Sequence, residues 1–258
     1  MALLEIKNVG ISFGGLRAVS NCDIGIEKGE LIGLIGPNGA GKTTLFNMLT
    51  GVYLPTEGDI VFEGKSIVGL KPYNITKRGI ARTFQNIRLF KELSVLDNVK
   101  IPYHIHARHN VLSSVLRLPS HYRGEQEITE KAMECLEVFG LADKKDELAK
   151  NLPYGQQRRM EIARALAAEP RLLLLDEPAA GMNPNETHDL MELIYWIREN
   201  FNLTILLIEH DMSLVMGVCE RIYVLDYGKI IAAGAPDEIK KNPKVIQAYL
   251  GEEVSVNA

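Results

Sequence analysis

Cysteine is scarce, with three in 258 residues. Cys22, Cys135 and Cys219 are far apart and odd in number, with no C-x-x-C spacing. That excludes a disulfide scaffold and reads as reduced thiols in a cytosolic protein. Positive charge is not in excess either. The 29 Lys and Arg face 33 Asp and Glu, for a net −4. A protein that lives on nucleic-acid phosphates is usually basic, so no nucleic acid is expected as a partner. Long apolar runs are missing. The longest stretch free of Asp, Glu, Lys and Arg is Thr43 to Thr56, and it holds Asn47, Thr50 and Pro55. A spanning helix needs about 18 or more apolar residues, so none is expected. The start, Met1-Ala2-Leu3-Leu4-Glu5, has no basic region and no long apolar stretch, so no signal peptide is expected. There is no internal repeat and no low-complexity segment.

What is present is the composition of a globular chain, 46% apolar and 24% charged. At about 150 residues per domain, one or two domains are expected. Leu4, Ile6 and Asn8 alternate with Glu5 and Lys7, and Ile24 and Ile26 alternate with Asp23 and Gly25, as in strands. Leu31 to Ile35 is an apolar run of strand length that enters a glycine-rich loop, and Thr43 to Leu49 continues as a helix. Asp59 to Phe62 is another short strand. From about Ser94 to Leu152 helical spacing takes over. Ile128, Ala132, Leu136 and Phe139 share one helical face, as do Val111, Leu112, Val115, Leu116 and Leu118 up to Pro119. Leu172–Leu175 is all-apolar, as expected of a strand covered on both faces, and Leu203–Ile208 reads as a second buried strand. Leu190 to Glu199 is helical. Ile222–Leu225 and Ile230–Ala233 flank a turn and read as a hairpin. Ile239, Val245, Ile246, Tyr249 and Leu250 suggest closing helical turns.

Gly36-Pro37-Asn38-Gly39-Ala40-Gly41-Lys42-Thr43 fits G-x-x-x-x-G-K-[ST] between a strand and a helix. Glycines let the backbone turn its N–H groups inward at phosphate oxygens. The helix start adds unpaired N–H groups and a positive dipole end. Lys42 is expected to reach the β- and γ-phosphates, and the Thr43 hydroxyl to ligate Mg²⁺. Leu172 to Leu175 runs into Asp176-Glu177. Asp176 can hold Mg²⁺ through water, and Glu177 can polarise an attacking water. His104, His106 and His109 cluster in the helical stretch. No acid or Cys stands near them in sequence, so they read as surface or packing residues.

With these motifs placed, the whole chain resembles the nucleotide-binding subunit of an ABC transporter. Phe13 matches the aromatic that stacks on adenine. Gln85, in Arg82-Thr83-Phe84-Gln85-Asn86, matches the Q-loop glutamine, and His210, in Ile208-Glu209-His210-Asp211, the switch histidine. Leu152-Pro153-Tyr154-Gly155-Gln156-Gln157-Arg158-Arg159 stands where the family carries L-S-G-G-Q. Each also has a plainer use: Phe13 in a core, Gln85 as a loop amide, His210 as a cap.

The resemblance implies an α/β fold. A P-loop NTPase core, a RecA-like mixed sheet with flanking helices, carries an antiparallel β subdomain and an inserted α-helical subdomain. One domain would span 1–258, with the helical subdomain at about 94–168 and a helical tail at 236–258. ATP would lie on Phe13 and on Gly36 to Thr43 and Thr44, with Mg²⁺ held by Thr43, Gln85 and Asp176. Lys42, Gln85, Glu177 and His210 would act in hydrolysis. Tyr154, Gly155 and Gln156, with Asn183 of the D-loop, would meet ATP held by a second ATPase subunit, identical or paired. The implied partners are integral membrane permease subunits and, indirectly, a substrate-binding protein, at the cytoplasmic face of the membrane.

Departures narrow the match. Pro153 replaces the signature serine, Tyr154 the first signature glycine, and Asn183 the D-loop aspartate. Pro153 supplies neither hydroxyl nor N–H. Together with Ala179-Ala180-Gly181-Met182-Asn183-Pro184 and the tail Ala248-Tyr249-Leu250-Gly251-Glu252, this is similar to the ATPases of branched-chain amino acid importers, in particular the longer of the two. The alternatives within the class are the ATPase of a lipopolysaccharide exporter or of a urea or amide importer. Outside it stand a non-transport ABC protein and a P-loop small-molecule kinase.

Overall fold

The computed structural model describes residues 2–106 and 119–254. The run Val111–Leu118 and His109 lie outside them. Two sheets organise the chain. The first is antiparallel, in the order β2-β1-β4-β5, from β1 (Leu4–Phe13), β2 (Leu16–Ile26), β4 (Glu57–Phe62) and β5 (Lys65–Ser66). Gly14 and Gly15 close the β1–β2 hairpin, with Phe13 paired to Leu16. The alternation expected through Asn8 breaks there. Asn8 sits at φ 49 with its amide on Asp23 Oδ1, and the pairing register shifts, so Val9 rather than Asn8 turns inward. A bulge of this kind moves the following side chains to the other face.

The second sheet has the order β10-β9-β3-β8-β7-β6. Its parallel strands are β3 (Leu31–Ile35), β6 (Ile80–Arg82), β7 (Leu172–Asp176), β8 (Thr204–Ile208) and β9 (Arg221–Asp226). β10 (Lys229–Gly234) closes one edge antiparallel to β9. The all-apolar runs are explained by burial on both faces. Ile32, Leu34, Leu172, Leu174, Leu206 and Ile208 face the helix Lys42–Leu49 and the antiparallel sheet. Leu31, Ile35, Leu173, Leu175, Ile205 and Leu207 face the helices Tyr154–Leu166, Pro184–Asn200 and Met212–Val218. Each such side chain is worth about 1.5–3 kcal/mol when fully buried, so the central strands anchor both layers.

Between β6 and β7 the regular structure among the described residues is helical. Val95–Tyr103 is capped by Ser94, whose hydroxyl accepts the Asp97 amide, and Pro119–Val138 packs on it through Ala132 and Leu136. His104 is a surface residue, as expected, although the fold brings to it an acid that the sequence does not place nearby. Its Nε2 lies 2.9 Å from Glu125 Oε1 on the second helix. All three cysteines are free and buried, and burial pushes each thiol up to about 12. Among the described residues no helix is long and apolar enough to cross a membrane.

Candidate active site

Neighbouring parallel strands end at one rim, so their C-terminal loops converge there, where open α/β sheets carry ligands. β3 ends at Ile35, just before Gly36, β6 at Arg82, β7 at Asp176, and β8 two residues before His210. After β3 the chain makes a tight turn into the helix Lys42–Leu49. Gly36 and Gly41 are obligatory there. A Cβ on Gly36 would lie 1.9 Å from the Leu225 carbonyl oxygen, and Gly41 holds φ 106 with Ala18 O in the way. Asn38, Gly39 and Thr43 are exposed, while Pro37 and Ala40 are buried and Thr44 half-buried.

Lys42 starts the helix and is buried. Its ammonium donates to the carbonyls of Gly36 at 2.6 Å and Pro37 at 2.9 Å. An ammonium has three donors, so one is left for a phosphate oxygen. Burial lowers its pKa, and the carboxylates of Glu177 and Asp176 oppose that shift.

At the end of β7, Asp176 is buried and ion-paired to Arg82 Nη2 at 2.6 Å. Arg82 also donates to Asn47 Oδ1 at 2.8 Å and lies over the Phe46 and Phe84 rings. The next residue, Glu177, leaves the strand at φ 47, a conformation that costs a non-glycine residue roughly 1–2 kcal/mol. It is held there by its amide, which donates to the Ile208 carbonyl at 2.9 Å. Its Oε2 accepts the side-chain amide of Gln85 at 2.8 Å. His210 Nδ1 stands 3.8 Å from the same oxygen and 3.6 Å from Glu209 Oε2. Glu209 is buried and accepts the Ala179 amide. Burial raises its pKa.

Phe13, 44% exposed at the tip of the first hairpin, meets Tyr53 edge-on at 5.1 Å. Its exposed ring surface is available to a planar ligand. Tyr154, Gly155 and Gln156 form the first turn of the helix Tyr154–Leu166, with Pro153 as its N-cap residue. The first ladder bond runs from the Gln157 amide to the Pro153 carbonyl. The three preceding N–H groups therefore have no intrahelical partner. A cavity of ≈ 290 Å³ adjoins them, lined by Gly155, Arg159, Met182 and Glu186 among others. Asn183 has a structural task. Its Oδ1 accepts the amides of Asn185 and Glu186 while Glu186 accepts the Asn183 amide, a capping box for Pro184–Asn200.

The structure thus brings Lys42, Gln85, Asp176, Glu177 and His210 to one rim, while Tyr154 of the signature turn reaches the Ala180 carbonyl and Phe13 stands at the tip of the first hairpin. Sequence reasoning missed Arg82, Arg158 and Glu161. Arg158, between Gln157 and Arg159, carries no local signal of burial, and its loop partners lie more than seventy residues upstream.

The model of the ABC transporter family matches residues 19–180. A second model, described as the branched-chain amino acid ATP-binding cassette transporter, matches 229–255. The chain is 48% identical over 250 residues to the high-affinity branched-chain amino acid transport ATP-binding protein LivG of Escherichia coli K12, covering 97% of this chain and 98% of that one. It is 47% identical, over the same shares, to BraF of Pseudomonas aeruginosa, described in the same terms. A crystal structure of an ATP-binding cassette of an ABC transporter in its ADP conformation superposes with a TM-score of 0.84 at 34% identity, covering 97% and 99% of the two chains. With a phosphate loop, an acidic strand end and a signature helix in one fold, the chain belongs to the ATP-binding subunits of ABC transporters and is an ABC-type ATPase.

Proposed function

We propose that this subunit hydrolyses ATP to drive uptake of branched-chain amino acids through separate membrane subunits. The observation that carries the chemistry is the meeting of Gln85 with Glu177 beside Lys42. Glu177 serves as the base that polarises water for in-line attack on the γ-phosphate. Gln85 orients its carboxylate, and His210 stands on the other side of the same oxygen. Lys42 neutralises charge on the phosphates, and Phe13 stacks on adenine.

Thr43, Asp176 and Gln85 offer a hydroxyl, a buried carboxylate and an amide carbonyl. An all-oxygen set of this kind fits Mg²⁺, which keeps several waters and binds one or two protein groups plus phosphates. Arg82 occupies one Asp176 oxygen and leaves the other for that task. When bound, Mg²⁺ would neutralise charge on the phosphates.

ATP-binding subunits of importers work with membrane permease subunits. This chain would sit against them at the cytoplasmic face, with a second ATP-binding subunit, identical or paired, opposed head to tail. Tyr154, Gly155, Gln156 and Asn183 would then face the partner's ATP, and a substrate-binding protein would deliver cargo from the far side. Likeness to LivG and BraF, together with the matched tail at 229–255, supports the cargo class. The test is reconstitution of the chain with its co-purifying permeases in vesicles, with a binding protein supplied. ATP-dependent accumulation of leucine, isoleucine or valine is expected. Uptake of a different solute with none of these would reassign the cargo, and absence of hydrolysis would remove the whole reading.

A further inference from the structure

Arg158, on the second turn of the helix Tyr154–Leu166, is fully buried and takes no part in the chemistry above. A buried guanidinium is tolerated only when its N–H groups and charge are satisfied. Nη1 donates to the Phe84 carbonyl at 2.7 Å and to Glu161 Oε2 at 2.8 Å. Nη2 donates to the Gln85 carbonyl at 2.8 Å and to the Tyr154 hydroxyl at 3.3 Å. Glu161, equally buried, turns its other oxygen to the amides of Phe84 at 3.3 Å and Arg88 at 3.1 Å. Two side chains of one helix therefore grip both ends of the loop around Gln85.

The grip continues to a second loop. The Tyr154 hydroxyl donates to the Ala180 carbonyl at 2.9 Å, and its ring covers Gly181. Ala180 in turn donates its amide to the Glu177 carbonyl at 3.2 Å. A closed circuit runs from Glu177 through Gln85, Arg158, Tyr154 and Ala180 back to Glu177. The guanidinium serves four acceptors at once in a fixed plane, which the three donors of a lysine ammonium cannot do.

We propose that Arg158, supported by Glu161 and Tyr154, is a positioning residue. It fixes the Gln85 backbone so that the side-chain amide meets Glu177, and it couples that loop to the loop Glu177–Gly181. It touches no reacting atom and acts through Gln85. This rests on the reading of Gln85 and Glu177 as hydrolytic residues.

The test is steady-state ATPase of the full chain carrying Arg158→Lys, Tyr154→Phe or Gln85→Ala, and of both double variants with Gln85→Ala. Amide exchange of residues 84–88 is followed in parallel. Arg158→Lys is expected to lower kcat about tenfold with KM within about twofold, and to speed exchange at Phe84 and Arg88 about tenfold. In the Gln85→Ala background the same substitution should change kcat less than about twofold, because coupled residues are not additive. Tyr154→Phe removes one hydroxyl and keeps the buried pair. It should give a loss of about threefold with the same dependence on Gln85, and it carries the test if Arg158→Lys does not fold. Additive losses in a damaged Gln85→Ala protein, or unchanged exchange at 84–88, overturn the positioning role and leave the hydrolytic reading standing. Wild-type kcat in Gln85→Ala alone overturns both.

Discussion

The side-chain amide of Gln85 donates to Glu177 Oε2 at 2.8 Å, joining two residues 92 positions apart. The contact leaves Glu177 Oε1 to accept a proton from water while Oε2 is held. Glu177→Gln keeps the shape and removes the proposed base. It should retain ATP binding and lose roughly 10²–10⁴-fold in turnover, the range for general acid–base assistance. Single-turnover hydrolysis beside equilibrium ATP binding checks this, and near-wild-type turnover would place the base elsewhere.

Arg82 and Asp176 make a buried ion pair at 2.6 Å, both side chains 5% exposed or less. Removing one partner leaves the other charge buried and uncompensated, at a cost of about 3–5 kcal/mol. Arg82→Ala should therefore lower unfolding free energy in urea by that amount. Arg82→Lys keeps the charge but loses the fork that also reaches Asn47, so its loss should be smaller. Equal stability of Arg82→Ala and wild type would mean that water reaches Asp176 in place of the guanidinium.

In the proposed site Lys42 would donate to phosphate in the ground state as well as the transition state. Lys42→Ala should weaken ATP affinity together with turnover. It also frees the carbonyls of Gly36 and Pro37, which lose their donor. Calorimetry of ATP binding decides: an unchanged dissociation constant contradicts the role given to the loop.

Much of this was legible because the chemistry is local. The phosphate loop lies in consecutive residues, and β7 and β8 are apolar runs whose burial on both faces leaves an unmistakable pattern. β6 was not legible. Three residues, Ile80–Arg82, carry no periodicity, and the strand exists because β7 offers it an edge. The six-residue helix Pro72–Lys77 is equally short, with Ile75 its one buried residue. Arg158 and Glu161 stand at helical spacing on a helix that reads as polar. Their burial depends on a loop more than seventy residues upstream, which no local pattern encodes. The gathering of Gln85, Glu177 and His210 came from the family's motif order, and the register of β6, β7 and β8 gives its physical cause.

Glu209 supplies a pH-dependent prediction. Burial raises its folded carboxyl pKa above the ordinary 4.5. Between 4.5 and the raised value the folded protein binds more protons than the unfolded chain. Stability is therefore fully present below 4.5 and is lost as pH rises through that window. Glu161, also raised by burial, adds to the same slope. Glu209→Gln keeps an acceptor for the Ala179 amide and removes the ionisation, so the decline should flatten. Melting temperature measured against pH for the two proteins checks this, and identical slopes would assign the decline to other groups.

Pro153 stands where a serine hydroxyl is expected, and the structure gives that hydroxyl two possible uses. Pro153 is the N-cap residue of Tyr154–Leu166 and makes no side-chain cap bond. A serine there can cap the helix, worth about 0.5–2 kcal/mol. Alternatively it can hold the γ-phosphate of the partner's ATP, since a bond to a charged group is worth about 1.5–3 kcal/mol. A carboxylate already stands beside the signature: Glu186 Oε1 would lie 3.1 Å from a Cβ on Gly155. With few donors and a nearby negative charge, the isolated subunit should dimerise weakly with ATP. Pro153→Ser should tighten that dimer about tenfold or more. The two uses separate by experiment. Capping raises the melting temperature without nucleotide, whereas phosphate binding changes only the ATP-dependent dimer constant, read by sedimentation of the Glu177→Gln protein with and without Pro153→Ser. If the nucleotide-free protein is stabilised while the dimer constant stays put, the hydroxyl is a cap. The loop, with Tyr154 drawn onto Ala180, then meets the partner's ATP through backbone amides alone.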